Sequence, residues 1–212
     1  DLKIKNRKVK VFTSFACFYD LPDPVKFAKS ISDYLAQDGL WYLEQSYLPL
    51  MLSTNSFDTL CHEHIEYYRL ANIDFIANQA GLELKDVEFN DINGGSFGVK
   101  VGHKNDIHPV SSKVSEVLEK ELAMDLFNEF EKFNERVQES KEETIKLLKE
   151  IKKDGGRVIG LGASTKGNVL LQYYGIDSDL IESIGEVNPN KFGCQTPGTG
   201  IPIISEEEAL NL

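Results

Sequence analysis

The stretch RVIGLGASTKGN at residues 157–168 decides the kind of fold that we expect. Its apolar run ends in Gly160 and Gly162, which is typical of a strand that enters a glycine turn, and Ser164 then opens a helix. Two further strands are predicted downstream, near residues 181–187 and 201–204. Strands that alternate with helices favour an α/β fold with parallel pairing, here an incomplete Rossmann-like domain.

The N-terminal part of the sequence repeats this alternation. Residues 9–13 and 40–45 are short apolar runs that predict two strands. Between them, Asp23 and Pro24 are typical of a helix N-cap followed by proline at the first helical position, and Gly39 is typical of a left-handed C-cap. A strand–helix–strand unit predicts a parallel pair with a right-handed crossover.

The central part of the sequence predicts an antiparallel end to the same sheet. After a loop at residues 47–68 and a helix at 70–80, the runs 82–89 and 96–101 are typical of strands. The turn between them contains Asn93-Gly94-Gly95, which is a strong hairpin signal. We therefore predict a mixed, doubly wound sheet.

Residues 110–153 have helical periodicity and a charged face that we interpret as solvated. Three segments follow from these patterns: the C-terminal part of a mixed-sheet domain at 1–106, a helical connector at 107–154, and the incomplete Rossmann-like domain at 155–212. The alternation of strands and helices is incomplete at both ends of the sequence. The first predicted strand has no earlier strand to pair with, and the last residues begin a helix pattern that is not completed. We expect the sequence to be a section of a larger enzyme.

Composition narrows the classes of function. Acidic residues number 34 and basic residues 23, so the formal net charge is −11, which disfavours nucleic acid and anionic membranes as partners. No run approaches the roughly 20 apolar residues of a membrane helix, and the N-terminus lacks a signal-peptide pattern. The cysteines have neither disulfide-framework nor zinc-ligand spacing, so a cytoplasmic protein is expected. They are Cys17, Cys61 and Cys194.

The segment Cys61-His62-Glu63-His64 is the first that could carry chemistry. Two imidazoles and a carboxylate in one predicted loop can transfer protons near neutral pH. A polar loop with a capping carboxylate is the alternative interpretation. A metal site is disfavoured because the HExxH spacing and a third ligand are both missing.

The glycine turn at residues 160–167 is the second segment that could carry chemistry. A helix N-terminus presents free N–H groups to an anion such as a phosphate, and Lys166 and Ser164 add a charge and a hydroxyl. The turn is also a weak match to a nicotinamide-dinucleotide site, for which Glu186 would be the acidic residue after the next strand. Helix packing alone is a further explanation of the glycines.

Five ordered motifs then resemble one family, at residues 18–24, 57–68, 93–97, 162–168 and 186–193. Over nearly its whole length the sequence is similar to sugar C-methyltransferases, which use S-adenosylmethionine to methylate nucleotide-linked 4-keto-deoxysugars. Members of that family resemble a three-part protein with an N-terminal zinc module, a class I methyltransferase domain and a C-terminal Rossmann-like domain.

The resemblance implies that residues 1–106 are the C-terminal part of the methyltransferase domain. Residues 9–13 would be the fourth strand of its sheet, residues 40–45 the fifth, and the hairpin the last two. The zinc module and the glycine loop that binds the cofactor would be missing, so the chain alone is expected to bind S-adenosylmethionine weakly or not at all.

The resemblance also implies roles for individual residues. His64 would be the base that removes the C3 proton next to the C4 ketone, and Glu63 would orient His64 or contact the sugar. Ser14 and Phe15 are expected to contact the cofactor, at the carboxyl end of a parallel strand. The residues expected to contact the nucleotide-diphosphate sugar are Tyr47, Asn93, Ser96, Ser164, Thr165 and Lys166.

Two positions depart from some characterised members of the family. Those members have a tyrosine where this sequence has Cys61 and a histidine where it has Asp20. The donor to the enolate oxygen is therefore open, with Tyr19, Tyr47 and Tyr67 as candidates. A nicotinamide-linked oxidoreductase and a catalytically idle nucleotide-sugar-binding module are the alternative functions.

Overall fold

The computed structural model describes residues 8–212, and residues 1–7 of the first predicted segment lie outside the described residues. The chain divides into two compact units. The first comprises Asp1–Ser56 and His62–Phe130, and the second comprises Phe57–Cys61 and Glu131–Leu212. The boundaries predicted near residues 106 and 154 stay a prediction.

The first unit contains four strands and most of the helices that precede residue 131. Their bounds are β1 Val9–Phe15, α1 Pro24–Tyr34, β2 Leu35–Ser46, α2 Leu48–Ser53, α3 Leu70–Gln79, β3 Leu82–Asn90, β4 Ser96–His103 and α4 Ser112–Ala123. The helix α5, Leu126–Lys153, begins in this unit and continues into the second. The break between α4 and α5 lies at Met124 and Asp125, inside the region predicted to be helical.

The four strands form one mixed sheet in the order β1-β2-β4-β3. β1 and β2 pair in parallel, and β4 is antiparallel to both β2 and β3. This confirms the predicted parallel pair and the predicted hairpin. β4 lies between its neighbours and is buried along almost its whole length, whereas the edge strand β1 is mostly exposed.

The core of the first unit forms where α1 and α3 pack on the inward-facing residues of the sheet. In β2, alternate residues are buried, which is the period of a strand with one face toward a core. Trp41, Leu43 and Phe97 are among its largest fully buried side chains. The Trp41 ring lies 5.5 Å from that of Phe18, between centroids.

The start of α1 was predicted correctly, because Asp23 accepts a hydrogen bond from the Lys26 N–H at 2.9 Å and Pro24 is the first helical residue. The predicted left-handed cap at Gly39 is wrong. α1 ends at Tyr34, and Gly39 lies inside β2. A Cβ at position 39 would lie only 2.9 Å from the carbonyl oxygen of Val9, so the glycine allows β1 to approach β2 closely.

Two other expectations need correction. The predicted loop at residues 47–68 contains the helix α2, which begins with Leu48 and Pro49. The charged face of the region after residue 110 is not wholly solvated, because Glu121 of α4 is only 2% exposed. Both corrections affect the candidate site.

The second unit contains a sheet of three short parallel strands in the order β5-β6-β7. The bounds are β5 Ile159–Leu161, α6 Thr165–Tyr174, β6 Ser183–Glu186, β7 Ile203–Ser205 and α7 Glu206–Leu210. The glycine turn and the helix after it form as predicted, since Gly162 has a φ of +83° and Ser164 is the N-cap of α6. The sequence pattern is thus that of an α/β unit with parallel strands.

Among residues 8–212, no helix combines the length and the apolar character that crossing a bilayer requires.

Replacing Gly39 by alanine should destabilise the first unit, because the added Cβ would meet the Val9 carbonyl and the Leu35 side chain. We expect a loss of about 1–3 kcal/mol in the free energy of unfolding, as is usual for an overpacked site. Urea unfolding followed by the fluorescence of the buried Trp41 measures this. Gln37→Ala, at an exposed position of the same strand, is the matched control, and equal stability of the two variants would contradict the assignment.

Candidate functional site

The carboxyl ends of β1 and β2 lie at the same edge of the first sheet, because the two strands are parallel and Phe15 pairs with Glu44. β4 runs in the opposite direction, so its first residue, Ser96, pairs with Ser46 at that same edge. We call this the carboxyl edge. It brings together five of the residues predicted from the sequence: Ser14, Phe15, Tyr47, Asn93 and Ser96.

The segment that carries His64 is fixed to the same edge. The backbone N–H groups of Ile65 and Glu66 donate to the carbonyl oxygen of Tyr19, at 3.0 and 3.2 Å. Tyr19 follows β1, and the centroid of its ring lies 4.2 Å from that of the His64 ring. His64 is therefore half-buried against an aromatic ring, whereas Glu63 is exposed.

The two residues predicted to contact the cofactor differ in exposure. Ser14 is buried, and its hydroxyl accepts a hydrogen bond from the indole N–H of Trp41 at 2.9 Å. Phe15 is 53% exposed, and its ring packs edge-on against Tyr42 at a centroid distance of 5.7 Å. Because neighbouring residues of a strand face opposite sides of the sheet, Ser14 faces the core and Phe15 lies on the other face.

Tyr47 follows β2 and is buried. Its hydroxyl donates to the Glu121 carboxylate at 2.7 Å, and its ring packs on Phe89 and Phe97 at 5.0 Å. Burial and the neighbouring Glu121 carboxylate raise the pKa of this hydroxyl well above its ordinary value. Since the hydroxyl is bound inside the protein, a contact between Tyr47 and a substrate stays a prediction.

The turn before β4 is shaped by its glycines and by α2. Asn93 is exposed and has a φ of +56°. The hydroxyl of Ser96 donates to the Ile92 carbonyl at 2.8 Å, within the turn itself. A Cβ on Gly95 would lie 2.5 Å from Leu50 of α2, so the turn packs directly on a helix that the sequence did not reveal.

In the second unit, the predicted anion-binding residues lie at the start of α6. The Ser164 hydroxyl accepts the Gly167 N–H at 3.0 Å, which caps the helix. Ser164 and Thr165 are exposed, and Lys166 is half-buried. An exposed helix N-terminus with a nearby ammonium group suits a phosphate.

Glu186, at the end of β6, supports this glycine turn rather than facing a ligand. Its carboxylate accepts the N–H groups of Ala163, Val187 and Asn188 at 2.8–3.0 Å and the Lys191 ammonium at 3.2 Å. The Asn188 N–H and the Lys191 ammonium are the main causes that lower the pKa of Glu186 to about 2. Lys191 also donates to the Ala163 carbonyl at 2.7 Å, so both peptide groups of Ala163 are fixed.

Sequence reasoning missed three buried polar side chains near the carboxyl edge. Glu121 has three donors within the first unit. The Gln45 amide and the Tyr68 hydroxyl are also buried, and within residues 8–212 neither has a hydrogen-bond partner. The burial of these side chains could not be predicted from local sequence, because each lies in a segment that has the ordinary pattern of a strand, a loop or a charged helix.

Within residues 8–212, no group of three or more histidine, cysteine and acidic residues lies close enough together to bind a metal ion. The three cysteines, Cys17, Cys61 and Cys194, are free thiols.

Residues 91–211 match the family described as "C-methyltransferase C-terminal domain". The C-methyltransferase NovU of Streptomyces niveus is 34% identical over 198 residues, which cover 91% of this chain and 46% of NovU. The chain thus spans about half the length of the curated relative that it matches.

Solved structures show partial likenesses. LepI in complex with SAM has a TM-score of 0.40 at 11% identity, covering 46% of this chain and 27% of LepI. The methyltransferase CcbJ from Streptomyces caelestis has a TM-score of 0.37 at 12% identity, covering 49% of this chain and 60% of CcbJ.

Replacing Glu186 by glutamine should remove a pH-dependent part of the stability of the second unit. A carboxyl group whose pKa falls on folding, here from 4.5 to about 2, contributes stability that is fully present above pH 4.5 and is lost as the pH falls through about 2. The midpoint of urea unfolding, followed by circular dichroism, should therefore differ between wild type and Glu186→Gln near neutral pH. The difference should shrink steadily below pH 4.5.

Glu139→Gln, at an exposed position of α5, is the control and should leave the pH dependence of wild type unchanged. A difference between Glu186→Gln and wild type that stays constant down to about pH 2 would contradict the role of Glu186.

Proposed function

Because the chain belongs to the family of C-methyltransferase C-terminal domains, we propose that the protein containing it transfers a methyl group from S-adenosylmethionine to a carbon atom of a small molecule. Besides the family match, the observation that carries the proposal is the position of the His64 side chain. A half-buried imidazole packs against Tyr19 at the carboxyl edge of a parallel strand pair, which is where ligands of such sheets bind.

The proposed cofactor contacts fit the residues at that edge. Ser14 has a buried hydroxyl that accepts the Trp41 indole N–H, and Phe15 is 53% exposed. The exposed Phe15 ring would stack on the adenine of S-adenosylmethionine, and Ser14 is a proposed contact at the end of the same strand. When bound, S-adenosylmethionine would supply an electrophilic methyl group to the enolate carbon, with the S–CH3 bond electrons staying on sulfur so that S-adenosylhomocysteine leaves.

The proposed substrate is a nucleotide-linked 4-keto-deoxysugar that is methylated at C3. The five motifs of the sequence support this class of substrate, and so does the glycine turn of the second unit. Ser164, Thr165 and Lys166 would bind the diphosphate through hydroxyl groups, helix N–H groups and one positive charge. Asn93 and Ser96 would contribute at the carboxyl edge.

In this proposal His64 performs the first step. Loss of the C3 proton is possible because the adjacent C4 carbonyl accepts the electron pair, giving an enolate. An imidazole is suited to accept that proton, because histidine is a common general base near neutral pH. Glu63, which is exposed in the structure, would contact the sugar or orient the imidazole once substrate is bound.

The enolate oxygen needs a donor, and the structure favours one of the three candidate tyrosines. The Tyr47 hydroxyl already donates to Glu121, and the Tyr67 ring lies farther from His64, at 6.5 Å. The Tyr19 ring is in contact with His64, so we propose Tyr19 as the donor because of its proximity to the base.

The oxidoreductase alternative loses its main support. A nicotinamide site of the Rossmann type needs an acidic side chain that is available to a ribose. The Glu186 carboxylate instead binds three backbone N–H groups and Lys191 within the second unit.

Substitution of His64 tests the proton transfer directly. In the protein that contains this chain, His64→Gln and His64→Ala should slow deuterium wash-in at C3 of the keto-sugar by about 10²- to 10⁴-fold, the usual contribution of a general base. Mass spectrometry of the recovered sugar measures the exchange. His62→Gln, two residues away and exposed, is the control, and wash-in that persists in both His64 variants would remove His64 from this role.

Substitution of Lys166 tests the diphosphate site. Lys166→Ala should weaken the binding of a deoxynucleoside diphosphate by roughly tenfold or more, as expected for loss of a hydrogen bond to a charged group. Calorimetry at low and high salt measures this, and the loss should be smaller at high salt. Lys149→Ala, on an exposed face of α5, is the control. Equal affinity of the Lys166 and Lys149 variants for the diphosphate would refute the site. Tight binding of a nicotinamide dinucleotide at the turn would favour the oxidoreductase.

A further inference from the structure

Glu121 is the most deeply buried acidic side chain at the carboxyl edge, with 2% of its surface exposed. One carboxylate oxygen accepts the Tyr47 hydroxyl and the Leu70 N–H, both at 2.7 Å. The other oxygen accepts the Ala71 N–H at 2.9 Å. Burying a carboxylate costs free energy unless hydrogen-bond donors compensate for the lost water, and three donors do so for Glu121.

The compensation comes from a helix terminus. Leu70 and Ala71 are the first two residues of α3, so their N–H groups are among those left without partners inside the helix. The positive end of the α3 dipole and these N–H groups stabilise a carboxylate at this position. An ionised carboxylate only accepts hydrogen bonds, which matches a site with three donors, whereas an amide would turn its own N–H toward one of them.

The same contacts fix one end of the segment that carries His64. Tyr68, two residues before the α3 N-terminus, pairs with Tyr47, and its carbonyl accepts the Leu48 N–H at 2.9 Å. The Tyr68 ring packs on Phe18 at a centroid distance of 5.5 Å. Phe18 directly precedes Tyr19, whose ring lies against His64.

We propose that Glu121 is a positioning residue for proton transfer at His64, a role that rests on the function proposed above. By binding Tyr47 and the start of α3 together, Glu121 fixes the end of the 62–69 segment, and the two hydrogen bonds to the Tyr19 carbonyl fix its middle. The Glu121 side chain itself does not touch substrate. Its effect on the reaction passes through the orientation of the imidazole.

The test compares Glu121→Gln with Glu119→Gln in the protein that contains this chain. Glu119 lies on the exposed face of the same helix, so its substitution removes an equal charge without touching the carboxyl edge. For Glu121→Gln we expect kcat and the rate of C3 deuterium wash-in to fall by about 10- to 100-fold, because a displacement of about 1 Å in a reacting group has effects of this size. KM for the nucleotide sugar should change by less than about threefold, since the diphosphate contacts are untouched.

A purely structural role would instead reduce the folded fraction and leave kcat per folded molecule unchanged. Measuring kcat below the unfolding transition, with the folded fraction from circular dichroism, separates the two. Wild-type kcat in folded Glu121→Gln would overturn the proposal. If the wild-type protein showed no deuterium wash-in at C3, the proposed function would be refuted, and this inference with it.

Tyr47→Phe provides a second arm that retains a folded protein if Glu121→Gln does not. It removes one of the three donors to Glu121 and should lower kcat by roughly threefold, the equivalent of about half a hydrogen bond. Because both residues act through one unit, the double variant should be no worse than Glu121→Gln alone. If the two substitutions lowered kcat independently, so that the fold-changes multiplied in the double variant, Tyr47 and Glu121 would not act as one unit. A Tyr47→Phe effect on KM alone would also overturn the coupling between them.

Discussion

The parallel pairing of β1 with β2 is the constraint on which the candidate site depends. Parallel strands end at the same edge of a sheet, so Phe15 and Glu44 are neighbours, and the chain after each strand leaves in the same direction. The insertion of β4 as an antiparallel strand adds its preceding turn to that edge. Strand pairing therefore brings the ends of β1 and β2 and the start of β4 to one edge, although these segments lie far apart in sequence.

Fixing the loops at this edge depends on backbone hydrogen bonds more than on side-chain pairs. The Tyr19 carbonyl accepts two N–H groups of the segment after His64, and the Tyr68 carbonyl accepts one from α2. Glu121 then binds the N–H groups at the start of α3. In the second unit Glu186 does the same for the glycine turn. Buried acids that bind peptide groups can orient loops whose side chains stay available for chemistry.

The elements that the sequence predicted correctly are those with a local signal. Asp23 with Pro24 and Ser164 after its glycines are caps whose hydrogen bonds lie within three residues of each other, so a short stretch of sequence specifies them. Gly39 was misinterpreted because the contact that requires a glycine is with Val9, on another strand. Glu121 was missed for the same reason, since its donors are about 50 and 74 residues away. The hydrogen bond from Tyr47 to Glu121 could not be predicted from local sequence either, because the two residues are 74 positions apart.

Charge is distributed in a way that the net value of −11 conceals. Glu121 and Glu186 contribute two negative charges to that sum, yet each is compensated by N–H donors and, for Glu186, by Lys191. Lys191 is in turn committed to Glu186 and to the Ala163 carbonyl, so it offers little to an outside anion. If the second unit binds a diphosphate at its glycine turn, the N-terminus of α6 and Lys166 are the groups that we propose attract it. Glu186 then aids anion binding despite its own negative charge, because it fixes the peptide groups that shape the turn.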